Sequence, residues 1–314
     1  MTNTVLSEVA DGVGTIVLNR PERINAVTRD MVDQLAEILH AWADDDRVEQ
    51  LVLAGAGQHG FCAGADVRAL REQIIAGDAD AVLDFLYAEY EMEQFIAYYP
   101  KPVTSHLVGI AMGAGLGIGL HNTLSIGEPS TRWAMPETAI GLWPDVAVCF
   151  ELSRAPGRVG EYLAMSGETI DGASAWWAGL LTQCRGCGEP EASALAGASD
   201  WIDECFGAER AAEMIALLEG HTNPDARAAA AVIRQRNPLS VCVALQAVRN
   251  ARQMTEVSEV FDQDRRLATS FMAHPDDFVE GVRAKLVDKD QNPQWSYARI
   301  EDVDPAVVTS RFAI

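Results

Sequence analysis

Two glycine-rich segments and one short acidic stretch hold the residues whose types suit chemistry. Residues 55–66 (GAGQHGFCAGAD) and 112–119 (MGAGLGIG) each follow an apolar run that reads as a strand. Glycine lacks a Cβ, so a ligand approaches the backbone closely, and a helix starting just afterwards aims unpaired N–H groups outward. Such a pair of loops could cradle an anion or a developing oxyanion; the plainer alternative is close helix packing. Neither is a nucleotide fingerprint. Counted from Gly113 or Gly115, the third glycine of GxGxxG falls on Ile118 or Leu120, and no Lys-Ser/Thr closes a P-loop.

The acidic stretch is AMPETAIGLWPDV, residues 134–146, with Glu137 and Asp145 in otherwise apolar surroundings. A partly desolvated carboxyl has a raised pKa, which suits a general acid or base near neutrality. An exposed loop acid, or a helix N-terminal Asp145, is the alternative. Cys184 and Cys187 have CxxC spacing, but no second CxxC or HxxxH accompanies them, and both are expected to be structural. His59 and His106 lie near the glycine-rich stretches and could serve as acid/base groups, the plainer alternative being packing or surface residues. No GxSxG elbow supports serine chemistry.

Alternating strands and helices must position these residues. Residues 4–9 and 13–18 are β-rich runs joined across Ala10, Asp11 and Gly12, a hairpin signal. Behind a Thr28 cap, Met31, Leu35, Ile38 and Trp42 recur at helical spacing. Helical pattern returns at 67–75 and 79–97, followed by strand readings around 103–109 and 122–126 with a helix start at Gly113. From about Pro190 strand signals vanish. The expected class is α/β, with a core over residues 1–195 and a helical region over 196–314.

Charge narrows the partners. With 46 acidic against 24 basic residues the formal charge is -22, which repels a phosphate backbone and makes nucleic acid an unlikely ligand. An anionic small molecule needs a few Arg or Lys side chains converging locally. Six cysteines in 314 residues are too sparse for a disulfide scaffold, and the first twenty residues resemble neither a signal nor a transit peptide, so a cytoplasmic location is expected. The uncharged stretch 102–127 holds six glycines and several polar residues and reads as buried loop and helix, not as a membrane span.

LNRPERINAV (18–27), FCAGADVRAL (61–70), KPVTSHLVGIAMGAGLGIGL (101–120) and AMPETAIGLWPDV (134–146) together resemble the crotonase, or enoyl-CoA hydratase/isomerase, superfamily. The match spans about residues 4 to 185. FVEGVRAKLVDKDQNPQW (278–295) resembles the C-terminal signature of the 3-hydroxyisobutyryl-CoA hydrolase branch. The resemblance implies a ββα spiral core followed by helices, an acyl-CoA bound in a bent shape, and no separate cofactor or metal. It implies backbone N–H groups of Ala65 and Ala114 as an oxyanion hole. Ala65, Asp66, Val67 and Arg68 would contact adenine or pantetheine, and Arg23 to Ala26 the nucleotide side, with Arg20, Arg23, Arg68 or Lys285 meeting phosphates. It also implies trimers or hexamers.

The departures matter as much. Hydratases of the superfamily take a first glutamate from the position that is Gly117 here, so a two-glutamate hydration lacks one carboxylate. The hydrolase branch pairs the Glu137 and Asp145 positions and adds an acid matching Glu89, all present. Where that branch places Gly-Gly after Pro-Asp-Val, this chain has Ala147, Val148 and Cys149. The resemblance thus implies thioester hydrolysis of a short branched 3-hydroxyacyl-CoA, as in valine catabolism. A hydratase or isomerase using Glu137 and Asp145, and a silent acyl-CoA-binding protein, are the alternatives.

Overall fold

The computed structural model describes residues 3–313. The chain opens with the expected hairpin, β1 (Val5–Ala10) against β2 (Val13–Leu18), registered from Val5↔Leu18 to Ala10↔Val13. Asp11 and Gly12 between them have φ of 49° and 81°, the left-handed pair that a two-residue hairpin turn requires. α1 (Arg29–Ala43) starts where Thr28 accepts the Met31 N–H, and it buries Met31, Val32, Leu35 and Leu39 along one stripe.

The elements that follow are β3 (Gln50–Gly55), β4 (Gly60–Cys62), α2 (Val67–Ile75), α3 (Ala79–Ala97), β5 (Val103–His106), β6 (Ile110–Met112), α4 (Ala114–Leu120), β7 (Leu124–Gly127) and β8 (Arg132–Ala134). Then come α5 (Val148–Leu152), α6 (Val159–Ser166), β9 (Ile170–Asp171), α7 (Gly172–Trp177) and β10 (Gln183–Cys184). The rest is helical: α8 (Ala194–Phe206), α9 (Ala211–Gly220), α10 (Pro224–Ile233), α11 (Pro238–Ala251), α12 (Val257–Met272), α13 (Asp276–Val282) and α14 (Pro305–Ser310). The uncharged stretch from Pro102 is thus divided among β5, β6, α4 and β7. Among the described residues no helix is long and apolar enough to cross a membrane.

The chain forms two compact units. One comprises residues up to Asp66, Phe85–Ala134 and Thr169–Ser193; the other comprises Val67–Asp84, Met135–Glu168 and the chain from Ala194 on. One unit edge falls between Ser193 and Ala194, and residues 67–84 and 135–168 belong to the same unit as the C-terminal helices.

The first unit holds two sheets, ordered β1-β2-β3-β5-β7-β10 and β4-β6-β8-β9. Successive strands alternate between them: β3, β5 and β7 enter the larger sheet, and β4, β6 and β8 the smaller. Apart from β1·β2 and β8·β9, the pairs are parallel, so each return needs a crossover, and this produces the ββα spiral. Ile16, Leu51, Leu53, Phe61, Leu107 and Trp133 fill its core.

In the second unit α6 is buried along its whole length and packs on α11. Its one acid, Glu161, is fully buried and paired with Arg158 at 3.0 Å and Arg252 at 3.1 Å, which offsets the cost of removing a charge from water. α13 crosses the Glu137–Ile140 turn so closely that a Cβ on Gly281 would sit 2.6 Å from the Ile140 backbone.

Candidate active site

In the first unit the two glycine-rich turns meet. A Cβ on Gly64 (φ 101°) would lie 3.4 Å from the Met112 carbonyl, 3.6 Å from Gly113 Cα and 3.8 Å from the Ala114 nitrogen. Ala65 forms a parallel bridge with Val27 in which the Val27 N–H donates to Gly64 and the Asp66 N–H to Val27. In such a bridge the central residue's own N–H faces the other way. Ala114 is the first residue of α4, where Gly113 (φ 50°) provides no side-chain cap, so its N–H has no partner within the helix. The main chains of the two glycine-rich turns therefore approach each other closely, with the Ala114 nitrogen 3.8 Å from the position of a Cβ on Gly64.

Asn25, which the resemblance counts only within the Arg23 to Ala26 nucleotide contact, ties the neighbouring loops together. Fully buried at φ 55°, it accepts the Arg20 N–H and donates through Nδ2 to the Ala56, Gly60 and Phe61 carbonyls. Arg20 lies 3.2 Å from Asp66 and also donates to the Ala26 carbonyl, so it braces its own loop. Arg23 is exposed and Ala26 half-buried.

Two carboxyls face the same unit from α3. Glu89 and Glu93 are one turn apart on one helix face and are essentially fully buried. The Glu93 carboxylate fills the space above Gly117, so that even a methyl group at 117 would collide with it. Glu93 was not singled out in the sequence; its signal is helical phase, because Glu89 and Glu93 share the buried stripe with Phe85, Leu86, Tyr90 and Ile96 while Glu91 is exposed. Burial, reinforced by Glu89 and Glu93, pushes the nearby Cys62 thiol up to about 12, which makes it a packing residue and not a nucleophile.

Three further acids gather in the second unit. Glu137 opens a 3-10 turn that Gly141 (φ 81°) closes, and the turn is pinned by the Asn237 N–H donating to the Thr138 carbonyl at 2.8 Å. Glu137 and Asp145 are 8% and 9% exposed, and Asp264 of α12 is fully buried. Burial raises the Glu137 pKa well above the carboxylate range, and the Asp145 charge raises it further. Glu137 Oε2 receives no hydrogen bond among the described residues. A buried carboxyl with an open oxygen and an acidic neighbour is equipped to take up or release a proton.

Between Trp143 and Ala147 the chain makes a tight turn with two consecutive left-handed residues, Val146 (φ 53°) and Ala147 (φ 55°). Each costs of order 1–3 kcal/mol without glycine, more for a β-branched side chain, and persists only when its surroundings fix it. Asp264 is part of those surroundings: it accepts the Trp143 indole N–H and the Ala147 N–H, both at 2.8 Å. Burial and the Asp145 charge raise the Asp264 pKa, against the pull of these two donors.

The remaining expected contacts are distributed between the units. Asp66 is half-buried in the first; Val67, Arg68 and Lys285 belong to the second. Arg68 donates to the Leu286 carbonyl at 2.8 Å, and Lys285 reaches Gln291 at 3.1 Å. Cys184 and Cys187 are joined by a disulfide, a bond that the sparse cysteine count did not foretell.

The family model described as enoyl-CoA hydratase/isomerase matches residues 13–186 and 184–312. The chain belongs to the enoyl-CoA hydratase/isomerase family. This family member is 32% identical to the probable 3-hydroxyisobutyryl-CoA hydrolase 3 of Arabidopsis thaliana, over 98% of the chain and 91% of the plant protein. It is equally 32% identical to the mitochondrial 3-hydroxyisobutyryl-CoA hydrolase of Gallus gallus, over 98% of the chain and 88% of the bird protein. Among solved structures it resembles a carnitinyl-CoA dehydratase from Mycobacterium thermoresistibile, with TM-score 0.94, 36% identity and coverage of 100% and 97%. An enoyl-CoA hydratase from Rhodobacter sphaeroides 2.4.1 gives TM-score 0.94 at 33% identity, covering 99% and 97%. The fold is therefore the crotonase type that the motifs implied.

Proposed function

We propose that this family member hydrolyses the thioester of a short branched 3-hydroxyacyl-CoA. The observation that carries the reading is the buried Glu137–Asp145 pair, with Glu137 Oε2 open and its pKa raised. The likeness to proteins named 3-hydroxyisobutyryl-CoA hydrolase supports the substrate class. In this reaction the Ala65 and Ala114 amides hold the carbonyl oxygen. Glu137 takes a proton from water as the oxygen of that water bonds to the carbonyl carbon, and the amides stabilise the negative charge that passes to the carbonyl oxygen. Collapse then breaks the carbon–sulfur bond, and the leaving thiolate receives the proton. Asp145 and Glu89 serve the 3-hydroxyl, which when buried requires a partner. Arg23, Arg68 and Lys285 meet the CoA phosphates locally, with Ala26, Asp66 and Val67 lining the CoA. The test is release of free CoA, read with a thiol reagent, across a panel of acyl-CoAs that includes 3-hydroxyisobutyryl-CoA; none released from any of them overturns the reading.

A second reading has its own observation. Glu93 brings a carboxylate to the face of Gly117, the position whose glycine removed one acid from a hydration mechanism. With it, water addition to an enoyl-CoA regains a second carboxyl, and the chain resembles solved structures of a carnitinyl-CoA dehydratase and an enoyl-CoA hydratase. Loss of enoyl-CoA absorbance without CoA release favours this reading over hydrolysis.

A further inference from the structure

From the geometry of the Trp143–Ala147 turn we infer that Asp264 is a positioning residue for Asp145, and that its carboxylate substitutes for the glycine this turn lacks. The inference rests on the reading that Asp145 takes part in turnover. Asp145 sits at the middle of a turn whose next two residues, Val146 and Ala147, both hold left-handed φ without being glycine. The side chains do not favour that conformation, since valine and alanine prefer φ below zero, although the Val148 N–H donates to the Asp145 carbonyl at 3.1 Å across the turn.

The support comes from α12. One oxygen of Asp264 accepts the indole N–H of Trp143, and the other accepts the N–H of Ala147, so one carboxylate spans both ends of the turn and brackets Asp145. The same helix face holds the indole a second time: Phe271, two turns further along, packs against Trp143 with ring centroids 4.9 Å apart. Only a group with two acceptor oxygens satisfies both donors. An asparagine side chain has one acceptor, and its NH2 group would confront the other N–H. Buried donors left facing a donor lose their hydrogen bond outright, and the turn is then released from its left-handed pair.

The experiment compares Asp264→Asn, Ala147→Gly and the double variant. Glycine adopts left-handed φ freely, so Ala147→Gly removes the strain at one of the two left-handed positions, the one whose N–H Asp264 holds. Expected results are a 10- to 100-fold lower kcat for Asp264→Asn with KM within about threefold of wild type, little change for Ala147→Gly alone, and recovery of most of the lost kcat in the double variant; these sizes are order-of-magnitude expectations for the loss of a charge-assisted hydrogen bond. Rescue by a glycine two residues beyond Asp145 is a result that a general loss of stability would not give. Hydrogen exchange of peptides covering 143–149, read by mass spectrometry, rises in Asp264→Asn and falls back in the double variant. A folded Asp264→Asn enzyme with wild-type kcat, or unchanged exchange over 143–149, overturns the inference. If wild type turns over no acyl-CoA, the functional reading fails by itself, and the exchange measurement still decides on the brace. Should Asp264→Asn not fold, Trp143→Phe keeps the ring on Phe271 and removes one of the two donors; a kcat reduced about 3- to 10-fold is then expected, and an unchanged kcat and exchange overturn the inference.

Discussion

The carboxylate of Glu93 occupies the volume that Gly117 leaves open on the neighbouring helix. A side chain at 117 would require the buried Glu93 carboxylate to move from its place. Gly117→Ala should destabilise the protein by about 1–3 kcal/mol, the usual cost of overpacking a filled interior. Scanning calorimetry should show the melting temperature lowered by several degrees, and the double variant Gly117→Ala with Glu93→Ala should recover most of it. A single variant as stable as wild type would place the Glu93 carboxylate elsewhere.

The donor at Ala114 is separable from its side chain. Proline is well tolerated at the first residue of a helix, because the N–H it lacks has no partner within the helix there. Gly113, at φ 50°, imposes no Cβ clash on a following proline. Ala114→Pro should therefore leave the melting temperature near wild type while lowering kcat by about 10²- to 10³-fold, the typical loss for one oxyanion donor. Steady-state kinetics beside a melting curve checks both parts. Unaltered kcat in a protein that still melts normally would remove Ala114 from the oxyanion hole.

What was legible in the sequence was what is local. Asp11-Gly12 marks its hairpin by turn chemistry, Thr28 marks its helix by a cap, and Glu137 and Asp145 stand out as acids among apolar neighbours. What was hidden depends on tertiary placement. Asp264 lies 117 residues from the Ala147 amide it holds, in a helix whose composition gives no hint of that partner. Glu93 was masked by Glu89 and Glu91 around it, and only the phase of the buried stripe distinguishes it from a solvated acid. Arg20 reads from its motif as a phosphate contact, yet Asp66 and the Ala26 carbonyl engage it because the Asn25 turn folds the loop back on itself.

Replacing Glu137 by glutamine keeps its volume and removes its proton chemistry. The turn that carries it is held from outside by Asn237 and by the close approach of Gly281, and a glutamine oxygen can still accept the Glu137 N–H as the carboxyl does, so the fold should persist. Expected is a kcat lower by about 10²- to 10⁴-fold, the range that general acid–base catalysis contributes. Acyl-CoA binding, followed by titration calorimetry, should stay within a few-fold of wild type. Loss of binding together with turnover would recast Glu137 as a binding residue.

The same carboxyl fixes the sign of two pH dependences. Glu137 has a pKa raised well above its ordinary 4.5, first by burial and then by Asp145. A carboxyl raised in the folded state binds its proton more tightly there than in the unfolded chain. Its contribution to stability is therefore fully present below about 4.5 and is lost as the pH rises through the folded value. Glu137→Gln removes that loss, so the stability of the variant relative to wild type should grow with pH across this window and then level off, as urea titrations at several pH values would show. Activity runs the other way, because the base must be unprotonated: kcat should climb with pH along a limb whose midpoint lies above 4.5. Asp145→Asn deletes the second cause of the shift and should move that limb to lower pH, whatever it does to the height of the plateau. A limb that stayed in place, or moved up, would mean that Asp145 does not share its charge with the group that titrates, and the assignment of Glu137 as the base would fall with it.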